Sequence, residues 1–364
     1  MTVDNKMHSP KQQPNVPYAI HSVGKVFTGV LMLKLIEKGI ISKESIDQPI
    51  KDHISETVWK QLPEKVKIHL EENGITLRQV MTHRGGLGDY LPDYTNAIAE
   101  ENIPKINQPE DFIPYIDNFG DKEAINKDVY SNVGILLVGL AIKHACKDQD
   151  YNKILEEHLL DDVGITCLPH KPDNGVYNLG DKIAPHIVGG PSGGYWMTVE
   201  DLAKFGKWLY EEYKKPEFEK IMREYGKEFY YPEYGKIAHD GRIPSANAHF
   251  AIYLETGIIV AVLSDQPNKA VDLGFAIKRH LFAHPTSQKQ LLASTTLSVA
   301  TKLSNKPKEE LKNRQKNVSI DDFGLRSSSH NIKSKITNRL NKKNKSKDDF
   351  DIEYKYSEKF TNKK

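Results

Sequence analysis

Two apolar runs in the C-terminal half of the chain, HFAIYL (249–254) and GIIVAVLS (257–264), are separated only by Glu255 and Thr256. β-Branched and aromatic residues at that density read as strands. A two-residue break reads as a hairpin, with Gly257 supplying the turn. The chain before them has a different period. Val26, Phe27, Val30, Leu31, Leu33 and Ile36 recur as on a helix, and Gly39 stops the run. Asn132–His144 and Val199–Tyr213 are further helical segments, the second capped by Thr198 with Asp201 three residues later. Helices in the middle and strands near the end place the chain in the α+β class.

The length of 364 residues allows one large domain or two at roughly 150 residues each. Charge divides the chain unevenly. From Pro285 to Lys364 there are 19 Lys+Arg against 9 Asp+Glu, leaving 32 against 40 in the rest. The body, taken as 14–284, is acidic, and the segment 285–364 is a basic tail rich in Lys, Asn and Ser. Such a composition buries too little apolar surface to offset ordering entropy, so most of the tail is expected to be disordered, with room for a helix near Gln288–Leu303.

Several classes of function are excluded or disfavoured. The longest apolar stretch, Asn132–Ile142, falls short of the roughly 20 residues that cross a bilayer, and MTVDNKMHSP has no signal-peptide core. Cys146 and Cys167 cannot build a disulfide framework and read as small buried hydrophobes. There is no H-E-x-x-H, the Gly-Lys pairs lack the upstream glycine of a P-loop, and the histidines are scattered, so no metal or nucleotide is expected.

Ser22-Val23-Gly24-Lys25 opens the first helix. A serine at a helix start meets unpaired backbone amides that favour a developing alkoxide. A lysine three positions on lies one turn along the same face. Beside an apolar helix its ammonium can lose a proton near neutral pH and serve as base. The spacing alone fits equally a capping serine and a solvated lysine.

The surroundings of that helix narrow the reading. HSVGKVFTGVLMLKLIEKGIIS resembles the active-site helix of the serine β-lactamase and penicillin-binding-protein superfamily. ITLRQVMTHRGGLGDY resembles the T-H-x-S-G-L turn that follows it. Tyr130-Ser131-Asn132 is similar to the Y-x-N motif of the class C branch. GGPSGGYWMTVEDLAKFGKWL resembles the family's Gly-rich loop, and His239-Asp240-Gly241 stands where the family has K-T-G or H-x-G. The resemblance spans roughly Pro17 to Ala283. It implies a β-lactamase/transpeptidase-like fold, an antiparallel sheet flanked by helices with a helical subdomain. It also implies a serine hydrolase with Ser22 as acylated nucleophile, Lys25 as base and Tyr130 as proton shuttle. Asn132 would hold the acyl-side group, and the amides of Ser22 and Arg242 would form the oxyanion hole. Gly241 would let the strand approach the substrate, and His239 would line the site. No metal or organic cofactor is required.

Two departures bear on function. The K-T-G lysine that pairs with a substrate carboxylate is replaced by His239, with Arg242 a partial substitute. That weakens the β-lactamase and carboxypeptidase readings and favours a hydrolase of small esters or amides, with D-amino-acid peptides and β-lactams left as further candidates. Only 21 residues precede Ser22, where the family places a helix and two strands. Without those strands the sheet would have about three strands and an exposed edge that invites a second copy. A truncated or misassigned start is the other reading, and it shifts the expected location from cytoplasm to cell envelope. Gly190–Gly194 also fits G-x-S-x-G, with Ser192, Asp265 and His280 as a paper triad, but Pro191 and the late helix start favour a structural loop. An inactive binding module, whose basic tail meets an acidic partner or an anionic membrane surface rather than a specific nucleic acid, is the alternative from another class.

Overall fold

The computed structural model describes residues 15–116, 120–178, 181–243, 246–283 and 296–301. At its centre lies helix α1 (Gly24–Glu37), preceded by a short strand β1 (Tyr18–Ala19) and a single 3-10 turn, His21–Val23. Val26, Phe27, Val30, Leu31, Met32, Leu33 and Leu35 are wholly buried. A helix apolar on all sides is a core helix, and the left-handed Gly39 (φ 70°) ends it as expected. On one side stands the helical part, in which β2 (Gly85–Leu87) and β3 (Gly120–Ile125) form a small antiparallel pair ahead of α2 (Asn132–Ala145). On the other side, β4 (Trp196–Met197) pairs with β1 and leads into α3 (Val199–Tyr213), whose N-cap Thr198 accepts from Asp201 N. α4 (Pro216–Tyr225) follows.

The main sheet is assembled from the end of the chain. β5 (Tyr230–Tyr231), β6 (Lys236–Ile243), β7 (Ala246–Tyr253) and β8 (Ile258–Ser264) pair antiparallel in sequence order. Gly257, at φ 67°, makes the β7–β8 turn. Along β8 the side chains alternate between two cores. Ile259, Ala261 and Leu263 join the large core with Phe205 and Leu209 of α3, while Ile258, Val260 and Val262 pack with Ala270, Leu273 and Ile277 of α5 (Lys269–Ala283). Both faces are covered, which is why this strand reads as an unbroken apolar run.

The expected three-stranded sheet is corrected. Among the described residues it has five strands, because β5 pairs with β6 at one edge and β9 (Thr296–Thr301) pairs parallel with β8 at the other, from Ile259↔Thr296 to Ser264↔Thr301. The edge of β8 is therefore paired within the chain itself. The helix expected near Gln288–Leu303 is a strand over 296–301. Thr296, Val299 and Thr301 are β-branched, and α5 supplies the crossover that a parallel pairing requires. The disorder expected of the rest of the tail, 285–295 and 302–364, lies outside the described residues.

Candidate active site

Ser22 sits in the 3-10 turn just ahead of α1, and neighbouring backbone clamps that turn from two sides. Ile20 N donates to Tyr195 O at 2.8 Å and Gly194 N donates to His21 O at 3.2 Å. His21, immediately before the serine, is left-handed (φ 46°), a conformation that a side-chain-bearing residue holds only when its surroundings enforce it. A Cβ on Gly193 would stand 2.2 Å from His21 O, and one on Gly241 would stand 2.0 Å from Ile20 O. Gly241 thus lets β6 approach the nucleophile turn itself, a closer task than the substrate approach expected of it. The Gly-rich loop is a backbone cradle.

The side chains expected to converge on Ser22 do so. Lys25, one turn along α1, is fully buried. Its Nζ donates to Ser22 Oγ at 3.2 Å, to Asn132 Oδ1 at 2.6 Å and to Ser192 O at 2.5 Å. Tyr130 Oη donates to Ser22 Oγ at 2.8 Å. The N-cap of α2 is Ser131, whose Oγ accepts from Gly134 N at 2.8 Å. Asn132 is therefore released from capping, and its Nδ2 donates to Asp89 Oδ1 at 2.8 Å. Ser192 is not exposed as a nucleophile: it is buried, and its Oγ donates to Asn132 O at 2.8 Å. The side chain of His280, offered for the paper triad, lies outside the described residues.

Burial brings the Lys25 ammonium down to about 8, against the opposing pull of Glu228 and Asp89. Burial pushes the Tyr130 phenol well up, with the bond to Ser22 pulling the other way and the charges of Glu228 and Asp89 adding to the rise. A phenolate role for Tyr130 is thereby disfavoured, and Lys25 is the group able to take a proton near neutral pH. The geometry serves the neutral amine as well as the cation. Two N–H bonds can stay on Asn132 and Ser192 while the lone pair faces Ser22. Burial also lowers the His21 imidazole to about 4, so that neighbour of the serine stays uncharged.

His239 and Arg242 are placed by strand alternation. His239 faces the site, its ring centroid 6.4 Å from that of Tyr130. Asp240 faces away, in contact with His249 Nδ1 at 2.7 Å and accepting from Arg242 Nη2 at 3.2 Å. Arg242 is therefore tied to its own strand. Sequence reasoning missed Asp89, which holds Asn132, and Glu228, a buried carboxylate whose oxygens lie 2.8 Å from His83 Nε2 and 3.6 Å from His239 Nε2. His83 was visible in the THRGGL turn, whereas Glu228, a lone carboxylate in GKEFYY, carries no pattern. Among the described residues no group of three or more His, Cys, Asp or Glu is arranged to hold a metal, and no helix is long and apolar enough to cross a membrane.

A buried lysine and a tyrosine sharing one serine hydroxyl, with an asparagine on the lysine, is the arrangement that the sequence resemblance implies. A family profile described as beta-lactamase matches residues 2–283. The chain belongs to the beta-lactamase family. Within it, the chain is 26% identical over 229 residues to beta-lactamase-like protein 4 of Dictyostelium discoideum, covering 54% of this chain and 36% of that protein. The chain thus spans about a third of that relative's length. Among solved structures, a penicillin-binding protein from Bacillus halodurans superposes with a TM-score of 0.54 at 17% identity, over 74% of this chain and 87% of that one. The octameric penicillin-binding protein homologue from Pyrococcus abyssi gives 0.50 at 18% identity, over 67% of this chain and 60% of that one. At such identities the likeness is one of fold: β-lactamase/transpeptidase-like, α+β.

Proposed function

We propose that this protein is a serine hydrolase that cleaves small esters or amides through an acyl-enzyme on Ser22. The observation that carries the reading is the joint hold of Lys25 Nζ and Tyr130 Oη on Ser22 Oγ, with Lys25 buried and brought down to about 8. About a tenth of Lys25 is then the free amine at pH 7. That amine takes the Ser22 proton, and the alkoxide attacks the substrate carbonyl. The backbone amides of Ser22 and Arg242 would receive the oxyanion, where losing one donor typically lowers the rate about 10²–10³-fold. The proton passes from Lys25, by way of the neutral Tyr130 phenol, to the leaving alcohol or amine. Water then enters by the reverse path and releases the acid. The absence of a lysine at His239 favours esters and amides over β-lactams, with D-amino-acid peptides as the next class to try.

Intact-mass measurement after exposure to a fluorophosphonate tests this, on the wild type and on Ser22→Ala and Ser192→Ala. The expected result is one adduct that disappears only in Ser22→Ala. An adduct lost only in Ser192→Ala, or no adduct on folded protein, overturns it, and the second outcome would favour a non-catalytic binding protein.

A further inference from the structure

Lys25, Arg242 and His239 each meet groups of this chain's own. Lys25 is held by Ser22, Asn132 and Ser192. Arg242 is on Asp240 at 3.2 Å. His239, at the position where a lysine would meet a substrate carboxylate, has Nε2 3.6 Å from Glu228 Oε1. The proton positions follow from the partners. His239 Nδ1 lies 2.7 Å from Asp240 O, a pure acceptor, so Nδ1 carries hydrogen and Nε2 is the atom turned to the carboxylate. On the other side, His83 Nδ1 accepts from Ser131 N at 3.2 Å, which leaves the ring proton on Nε2, 2.8 Å from Glu228 Oε2. Each oxygen of Glu228 thus faces one imidazole, and the two rings flank Tyr130 at centroid distances of 4.9 and 6.4 Å.

We propose that Glu228 is a specificity-determining residue: it sets a buried carboxylate on the His239 side of the site and directs the enzyme to acyl groups without a carboxylate. The inference rests on the hydrolase reading above and deepens it. The Glu228 side chain is 4% exposed and shares the wall of a small cavity with Lys25, Tyr225 and Phe229. Burial opposes its ionisation, yet His83 and His239 hold its carboxyl well below the usual range, which favours the carboxylate. In such a poorly solvated wall a fixed charge acts beyond contact distance and is little screened by salt. An anionic substrate entering beside His239 meets that carboxylate.

The test compares para-nitrophenyl hexanoate with mono-para-nitrophenyl adipate, two esters of the same length in which a carboxylate replaces the terminal methyl. Wild type is expected to favour the hexanoate in kcat/KM. Glu228→Gln, close to the native shape, is expected to move the ratio toward the adipate by about tenfold or more. Glu228→Asp, which keeps the charge, is expected to leave the ratio near that of wild type. His239→Lys, which carries its cation past Glu228, is a second variant expected to move the ratio the same way as Glu228→Gln. The ratio of dissociation constants for the same pair, measured in a Ser22→Ala background by calorimetry, gives the preference without turnover. An unchanged ratio in Glu228→Gln and His239→Lys, or an equal shift in Glu228→Asp, overturns the proposal. If wild type hydrolyses neither ester, the hydrolase reading falls, and the calorimetric ratios still decide the role of Glu228.

Discussion

Replacing Lys25 by methionine removes the one fully buried ammonium on α1, and its effect on stability can be worked out with its sign. The group titrates at 10.5 in the unfolded chain and at about 8 in the folded one. The folded state releases this proton more readily, so below about pH 8 the unfolded chain is favoured by about 3 kcal/mol, at about 1.4 kcal/mol per pH unit of difference. That penalty shrinks as pH rises through 8 and is gone above 10.5. Between about pH 7.5 and 9.5, wild type should gain about 2 kcal/mol that Lys25→Met cannot gain. Asn132 Oδ1 and Ser192 O lose a donor in the variant, but that loss is the same at both pH values and cancels in the comparison. Urea denaturation of both proteins at both pH values is the assay. The same titration should appear in acylation: the rate with a fluorophosphonate should climb through neutral pH and level off above about 8. Stability curves that run parallel for wild type and variant would refute the depressed ammonium, and with it Lys25 as base.

Tyr130→Phe keeps the ring between His83 and His239 but removes the Oη contact with Ser22, and should lower kcat about 10²–10³-fold in a stopped-flow ester assay. A loss of only a few-fold would assign the whole relay to Lys25. Gly193→Ala sets a Cβ 2.2 Å from His21 O at a φ of 124°, and should lower stability by a few kcal/mol together with adduct formation at Ser22. Unchanged melting would mean that the loop can move away from the nucleophile turn. Ending the chain after Ala283 removes β9 and uncovers the edge of β8. Light scattering should then show more self-association than in the full chain, whereas an unchanged mass and melting temperature would show that β9 is dispensable.

The parts of the site legible in the sequence are those in which residue type and spacing coincide with a local element. Ser22 and Lys25 lie one helical turn apart on α1, and Tyr130 and Asn132 flank the cap of α2. The β7–β8 hairpin was legible because only four residues separate its strands and both strands are apolar. Strand parity separates His239, which faces the site, from Asp240, which faces away. Glu228 and Asp89 were not legible, since each meets its partners only across the fold: Glu228 is far in sequence from His83, and Asp89 from Asn132. β9 was hidden by its setting, because TLSVAT sits in a stretch whose composition argues against a packed element. The cradle role of Gly193 depends on a backbone approach that no spacing rule records.

The central claim is that Ser22 carries the acyl group during turnover. Acid quenching within the first turnover of an ester substrate, followed by proteolysis and peptide mass mapping, addresses it directly. The account predicts the acyl mass on the peptide that contains Ser22, and its disappearance in Ser22→Ala. Turnover with the acyl group on the Ser192 peptide, or with no acyl peptide under conditions that slow deacylation, would contradict it.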